Sequence, residues 1–362
     1  MGIKTKAKPV RLAMSMLHSK LMLQTGPMLH TRIITKENLK KLISKLSKTT
    51  EVYAPLHESS DGIIKFRQIN NSEDISSMAL DKLSYNPAKT AFFKKHETLF
   101  EFDNNKVICE CVAPKPKILL GLKKCDLNSI AHQDIVFNEA KDCWYMMQRK
   151  DAVLIGYHCK NEQDVYCFCN SLDLKDCHDV MLYETKEGYL VEAVTDRGKE
   201  FINKFKIHFK NNKKMLNIFA DKNLKVIKGA DHLEAKNLDE RLRKNYSSEE
   251  WKKLAEPCLG CSACNILCPS CYCFDIYDKV SMANVKKGKR MREHSSCQLL
   301  SFTDIRGKSE RASREDRLKH RVYHQLKYFK EKQGVNLCTG CGRCIRHCPV
   351  RINFVNIINT FK

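Results

Sequence analysis

The sequence predicts an α+β fold: a mixed α/β domain over residues 31–235, followed by a mostly helical, cysteine-rich domain over 236–362. Three observations lead there. Strand-like apolar runs mix with a helical pattern in the first part. Two copies of one cysteine motif occupy the second. Residues 1–30 fit neither pattern and form a basic extension.

Along the first part, KENLKKLISKLSK at 36–48 places Leu39, Leu42, Ile43 and Leu46 at helical spacing, with Thr35 as the N-cap. The runs KILLGLK at 117–123, AVLIGYH at 152–158, VMLYE at 180–184 and GYLVEAV at 188–194 read as strands. Residues 206–230 are lysine-rich and weakly patterned, so the boundary there is soft. Next, Ser247 with Glu250 reads as a capping box opening a short helix through Leu254, ended by Pro257. Ser313 caps a longer helix that Gly334 closes, and its Leu318, Val322, Leu326 and Phe329 form an apolar stripe of the kind that packs into a core.

The 362 residues include 19 cysteines, an odd number, and no apolar run long enough for a membrane span or secretory signal. Such a chain does not need disulfide staples, and in a reducing compartment abundant cysteine points to metal. The formal charge of +22, from 64 Lys and Arg against 42 Asp and Glu, raises the alternative of nucleic-acid binding. The lysines are spread along the chain, however, and no helix-turn-helix or arginine-rich arm is present. Between Met1 and Lys36 there is no acidic residue, as in an organelle transit peptide; a plain basic extension, or initiation at Met28, is the alternative. The localisation expected is cytoplasmic, or a mitochondrion-related organelle if the extension is a targeting peptide.

The chemistry lies in C-x2-C-x2-C-x3-C-P, present as Cys258, Cys261, Cys264, Cys268 and Pro269, and again as Cys338, Cys341, Cys344, Cys348 and Pro349. This is the run that holds [4Fe-4S] clusters in bacterial-type ferredoxins, where the cysteine before proline reaches the other cluster. The expected sets are therefore Cys258, Cys261 and Cys264 with Cys348, and Cys338, Cys341 and Cys344 with Cys268. The fold expected for 236–362 is accordingly a bacterial-type two-[4Fe-4S] ferredoxin-like domain with a helical insertion. Gly260, Gly340 and Gly342 suit loops that wrap amides around sulfur. A zinc ribbon is the competing explanation, but a tetrahedral site has no use for the third cysteine and the Cys-Pro step. The 69 residues between Cys268 and Cys338 depart from a compact ferredoxin.

Eight further cysteines lie in the first part, at 109, 111, 125, 143, 159, 167, 169 and 177. Cys125 and Cys159 each follow a strand, which places both at one sheet edge. A metal site there and buried small hydrophobes are both open on this pattern alone.

Together these motifs resemble one family, the iron-sulfur beta subunit of sulfhydrogenases and the A subunit of anaerobic sulfite reductases. The resemblance runs in order through EVYAPLHE (51–58), HETLFEF (96–102), KKCDLNSIAHQDIVF (123–137) and YCFCNSL (166–172). It continues through WKKLAEPCLGCSAC (251–264), CPSCYCFDIYD (268–278), RLKHRVYHQLKYF (317–329) and CTGCGRCIRHCPVRI (338–352). It implies an electron-transfer subunit of an anaerobic oxidoreductase complex, itself not catalytic. Electrons would pass between a flavin and NAD(P)H-binding subunit and a terminal catalytic subunit, of sulfite reductase or hydrogenase type. It also implies a third [4Fe-4S] cluster on Cys125, Cys159, Cys167 and Cys169, with Cys177 in reserve. YFKEKQGV and INFVNIIN look like the sulfite reductase branch, WKKLAEPC and LYETKEGYLVE like the sulfhydrogenase branch. Departures are Ser262 where the family has glycine, a missing proline near Lys94 and Lys95, and residues 1–30, which have no counterpart.

A self-contained iron-sulfur reductase is the alternative function, and a zinc-containing nucleic-acid binder a weaker one. Against the first, there is no GxGxxG fingerprint and no P-loop. His132, His158, His320 and His324 are candidate ligands or proton carriers, yet HRVYH lacks the glutamate of HExxH. Cys271, Cys273 and Cys297 fall outside both ferredoxin runs, and packing and metal ligation are both open for them.

Overall fold

A computed structural model describes residues 30–58, 62–104, 106–108, 114–210 and 231–362. Residues 1–29, Cys109 and Cys111 lie outside the described residues. The strands are β1 (His30–Thr35), β2 (Glu51–His57), β3 (Ile64–Gln68), β4 (His96–Asp103), β5 (Lys106–Ile108), β6 (Lys117–Leu122), β7 (Val153–Tyr157), β8 (Val180–Glu184), β9 (Gly188–Ala193), β10 (Phe274–Val280) and β11 (Lys287–His294). Seven of them form one sheet in the order β1-β9-β8-β7-β6-β2-β3. Its centre, β2, β6, β7 and β8, is parallel. Parallel strands are covered on both faces, and β6 is accordingly buried at every residue.

The two faces are filled by different residues of the same strands. Ile118 and Leu120 pack with Leu39, Leu42 and Ile43 of the helix Lys36–Leu46, which Thr35 caps as expected. Leu119 and Leu122 pack on the other face with Leu127, Ile130 and Phe137 of the helix Lys124–Glu139. The switch occurs at Gly121, where the β6–β7 register shifts. Gly121 has φ +78°, and a Cβ there would meet Leu80 at 2.9 Å. The chain then enters the Lys124–Glu139 helix, so Cys125 sits at the carboxyl edge of the sheet.

A second, antiparallel sheet runs β10-β11-β4-β5 and joins strands from both halves of the sequence. The β10–β11 hairpin is a strand pair inside the stretch between the two cysteine runs, where a helical insertion is expected. Arg292 of β11, 2% exposed, bonds Glu97 and Asp142 and lies over the Phe93, Phe137 and Phe274 rings. A third core gathers Trp251, Leu318, Val322, Leu326, Ile345 and Phe354 with Phe168. The stripe of the long helix is buried as its spacing predicts, and Gly334 closes that helix at φ +78°. One interruption was not expected, a π turn at His324–Tyr328 between Arg314–Tyr323 and Phe329–Gln333. The short helix Glu250–Ala255 starts two residues later than a Ser247 cap would place it, and Ser248 Oγ accepts from the Glu250 amide.

Candidate metal centre

The two cysteine runs fold alike. Gly260 and Ser262 have φ of +67° and +68°, and Gly340 and Gly342 have +65° and +74°. Left-handed residues two apart turn neighbouring amides to one side, a concavity suited to negatively charged sulfur. The Gly260 amide donates to Cys258 Sγ at 3.4 Å, and the Gly340 amide is turned toward the Cys338 sulfur. A one-turn helix follows each loop, Ala263–Ile266 and Arg343–Arg346, and the two helices pack together. Cys268 and Cys348 then close the two runs at equivalent places.

Cys268, Cys338, Cys341 and Cys344 line one small cavity, walled also by Phe168, Arg321 and Gln325. Burial pushes the Cys341 and Cys344 thiols up to about 12 and the Cys338 thiol up as well. Thiols so placed stay protonated until a metal cation replaces the proton. The donor set, soft sulfur with amide donors in an apolar shell, fits an iron-sulfur cluster. Among the described residues, no three Cys, His, Asp or Glu side chains converge on a single-ion position. In the first run Cys264 is held up to about 12 by burial, Cys258 is half-buried and Cys261 is exposed.

The four N-terminal cysteines meet against the second loop. Cys125 lies in the first turn after β6, and Cys159 follows β7, its parallel neighbour. Cys167 and Cys169 reach them from the CFC element, whose Phe168 amide donates to the Gly340 carbonyl at 2.9 Å. A Cβ on Gly340 would meet the Cys169 nitrogen at 2.5 Å, and one on Gly342 the Tyr166 carbonyl oxygen at 2.6 Å. These glycines therefore permit close approach of two backbones, beyond the loop role their spacing indicates. Burial raises the Cys159 thiol to about 11 and the Cys167 thiol to about 12, and the charge of Cys169 adds to both. Arg343, 1% exposed, ties the loop to this edge through Asp126 at 2.8 and 3.1 Å and the Ser84 carbonyl at 2.9 Å. Cys177 packs elsewhere, against the core of Tyr145, Leu154 and Met181.

A 4Fe-4S dicluster domain family matches residues 257–352, a span that takes in both runs and everything between them. The chain is also 30% identical over 344 residues to Sulfhydrogenase 2 subunit beta of Pyrococcus furiosus, covering 90% of this chain and 96% of that one. The chain belongs to the sulfhydrogenase beta-subunit family. It is thus an iron-sulfur subunit of the sulfhydrogenase type, and no helix among its described residues is long and apolar enough to cross a membrane.

Within this sulfhydrogenase-type subunit, the most consequential residues that the sequence reading misses are Arg321 and Gln325. Arg321 is 4% exposed, and its Nη1 donates to Asn265 Oδ1 at 2.5 Å and to Cys271 Sγ at 3.3 Å. Gln325, at the π turn, donates to Cys271 Sγ at 3.3 Å, and its carbonyl accepts from the Leu337 and Cys338 amides at 2.9 and 3.0 Å. A signal exists: Arg317, Arg321 and Gln325 recur every four residues beside the apolar stripe, and all are buried. Burial holds His132 and His320 down to about 4, His158 and His324 also down, and His324 pairs with the Tyr272 hydroxyl at 3.1 Å.

Proposed function

We propose that this subunit is an electron relay holding two [4Fe-4S] clusters on the ferredoxin runs and a third on the N-terminal cysteines. In this reading Cys258, Cys261 and Cys264 share a cluster with Cys348, and Cys338, Cys341 and Cys344 share one with Cys268. Cys125, Cys159, Cys167 and Cys169 hold the third. The observation that carries the reading is the seating of the CFC element on the Thr339–Gly342 loop, which makes the third site and the second run neighbours. When bound, such clusters accept and release single electrons. The protein's part is to bury the second and third sites, supply amide donors to sulfur and leave the first run, with Cys261 and Leu259 exposed, near the surface.

The partners in this reading are a subunit carrying flavin and NAD(P)H and a terminal catalytic subunit of hydrogenase or sulfite reductase type. The division of the chain is a 31–235 domain bearing the third site and a 236–362 domain bearing the other two. Exposed Val107, Ile108, Ile276, Val280 and Met282 concentrate apolar surface on the small sheet and its hairpin, which suits a subunit contact. Anaerobic iron and acid-labile sulfide analysis tests the relay: these three sites account for about twelve irons per chain, and about four fewer are expected in Cys125→Ser. Zinc without sulfide would reject it.

A further inference from the structure

Three cysteines outside the sets above lie near one another, and Cys271 also borders Cys268 of the second set. Cys271 and Cys297 are 6% and 5% exposed, and Cys273 is half-buried. The β10–β11 hairpin brings them together: Phe274 pairs with His294, and the Ser295 amide donates to the Cys273 carbonyl at 3.0 Å. The Cys273 and Cys297 side chains thereby come within interaction range of each other.

Their surroundings are built for anionic sulfur. Cys271 Sγ accepts from Arg321 Nη1 and Gln325 Nε2, both at 3.3 Å. Cys297 Sγ accepts from Asn265 Nδ2 at 2.9 Å and Gln298 Nε2 at 3.7 Å. Two N–H donors on one sulfur is the pattern found around metal-bound thiolates, whose sulfur carries charge to share. Arg321 stays charged in any protein environment, and no carboxylate lies within salt-bridge distance of it among the described residues. Lys89 Nζ, on a side chain 3% exposed, donates to the Cys271 carbonyl at 2.8 Å. The Arg321 guanidinium, which also walls the cavity of the second run, gains further compensating charge where Cys271 is a thiolate. Around the same place Gln325 Oε1, Gln133 Oε1 and Ser295 Oγ are buried without partners.

We propose that Cys271, Cys273 and Cys297 are thiolate ligands of a further iron-sulfur cluster, separate from the N-terminal site. This rests on the reading of the chain as an iron-sulfur relay. Each thiol loses its proton as its sulfur bonds an iron, and no electrons are exchanged in the step. The N-terminal four lie against the Thr339–Gly342 loop, whereas these three share Arg321, Asn265 and Lys89. The two groups are thus served by different walls of the structure.

The test uses the full chain purified anaerobically, with iron and acid-labile sulfide counted per chain and EPR spectra recorded after reduction. Cys273→Ala and Cys297→Ala are expected to lose about three or four irons with matching sulfide, while Cys143→Ala, at an exposed position, loses none. Cys297→Ser, the nearest isostere, guards against misfolding: its oxygen can still bind iron, so one cluster's EPR lines shift. Unchanged iron in both alanine variants and an unaltered spectrum in Cys297→Ser overturn the inference and leave the relay reading standing. A wild-type chain without iron overturns both.

Discussion

Replacing Arg321 by glutamine removes a positive charge from the wall of the cavity that Cys268, Cys338, Cys341 and Cys344 line. Arg321 lines that cavity, so a guanidinium in van der Waals contact with the sulfur shell of a cluster there stands on the order of 7 Å from its centre. With an effective dielectric of about 20, Coulomb's law gives about 2 kcal/mol between that charge and one added electron. Since about 1.4 kcal/mol and about 59 mV each correspond to a tenfold change for one electron, Arg321→Gln lowers the midpoint potential by about 100 mV. The sign follows from the reduced state being the more negative one. Anaerobic redox titration followed by EPR measures the shift. Arg321→Lys keeps the charge and separates electrostatics from packing, with an expected shift of less than about 30 mV. A fully iron-loaded Arg321→Gln whose potentials match the wild type within about 20 mV refutes the reasoning, as does an equal shift in both variants.

Gly340→Ala places a methyl 2.5 Å from the Cys169 nitrogen at φ +65°, so the CFC element is pushed away and about four irons are lost with it. Gly307→Ala bears similar backbone strain at φ +79° in open space, and its iron count should stay at the wild-type value. Ser262→Gly relieves a left-handed non-glycine residue and removes a buried hydroxyl without a partner, for a gain of about 1 kcal/mol in urea unfolding. A loss of stability there would mean that the hydroxyl has a partner in the loaded protein. Burial holds His294 down to about 3 and His320 to about 4, so between there and pH 6.5 the unfolded chain binds protons the folded one does not. Stability is therefore full above about pH 6.5 and is lost as pH falls toward 4. His320→Gln should flatten that slope in urea midpoints taken at several pH values, and an unchanged slope rejects the assignment.

The centre of the main sheet is legible because β6, β7, β8 and β9 are apolar runs whose pattern needs no partner to be recognised. β1 escaped notice: HTRIIT has only two apolar side chains, and its pairing with β9 supplies the rest. β10 and β11 are hidden for a related reason: FDIYDKV is largely exposed, and the buried residue of KGKRMREH is a charged one, Arg292. The ferredoxin runs were legible as spacing, because ligation to one cluster constrains neighbours in sequence. The meeting of Cys273 with Cys297 was not, because it depends on the closure of that hairpin. Arg321 and Lys89 look like surface charges in a chain rich in them, and only packing shows that they are buried.

The long separation of the two runs has a physical use in this fold. Its hairpin crosses to β4 and ties the second half to the first through Arg292, Glu97 and Asp142. The same segment delivers Cys297 to Cys273 and then turns into the helix that carries Arg321. Widening that helix at the π turn lets the Gln325 carbonyl hold the Leu337 and Cys338 amides while its side chain reaches Cys271. One residue thus couples the start of the second cysteine loop to the end of the first. A straight helix would shift the register between Arg321 and Cys338, so the cation that sets the charge balance and the loop that holds the sulfur are positioned by one local irregularity.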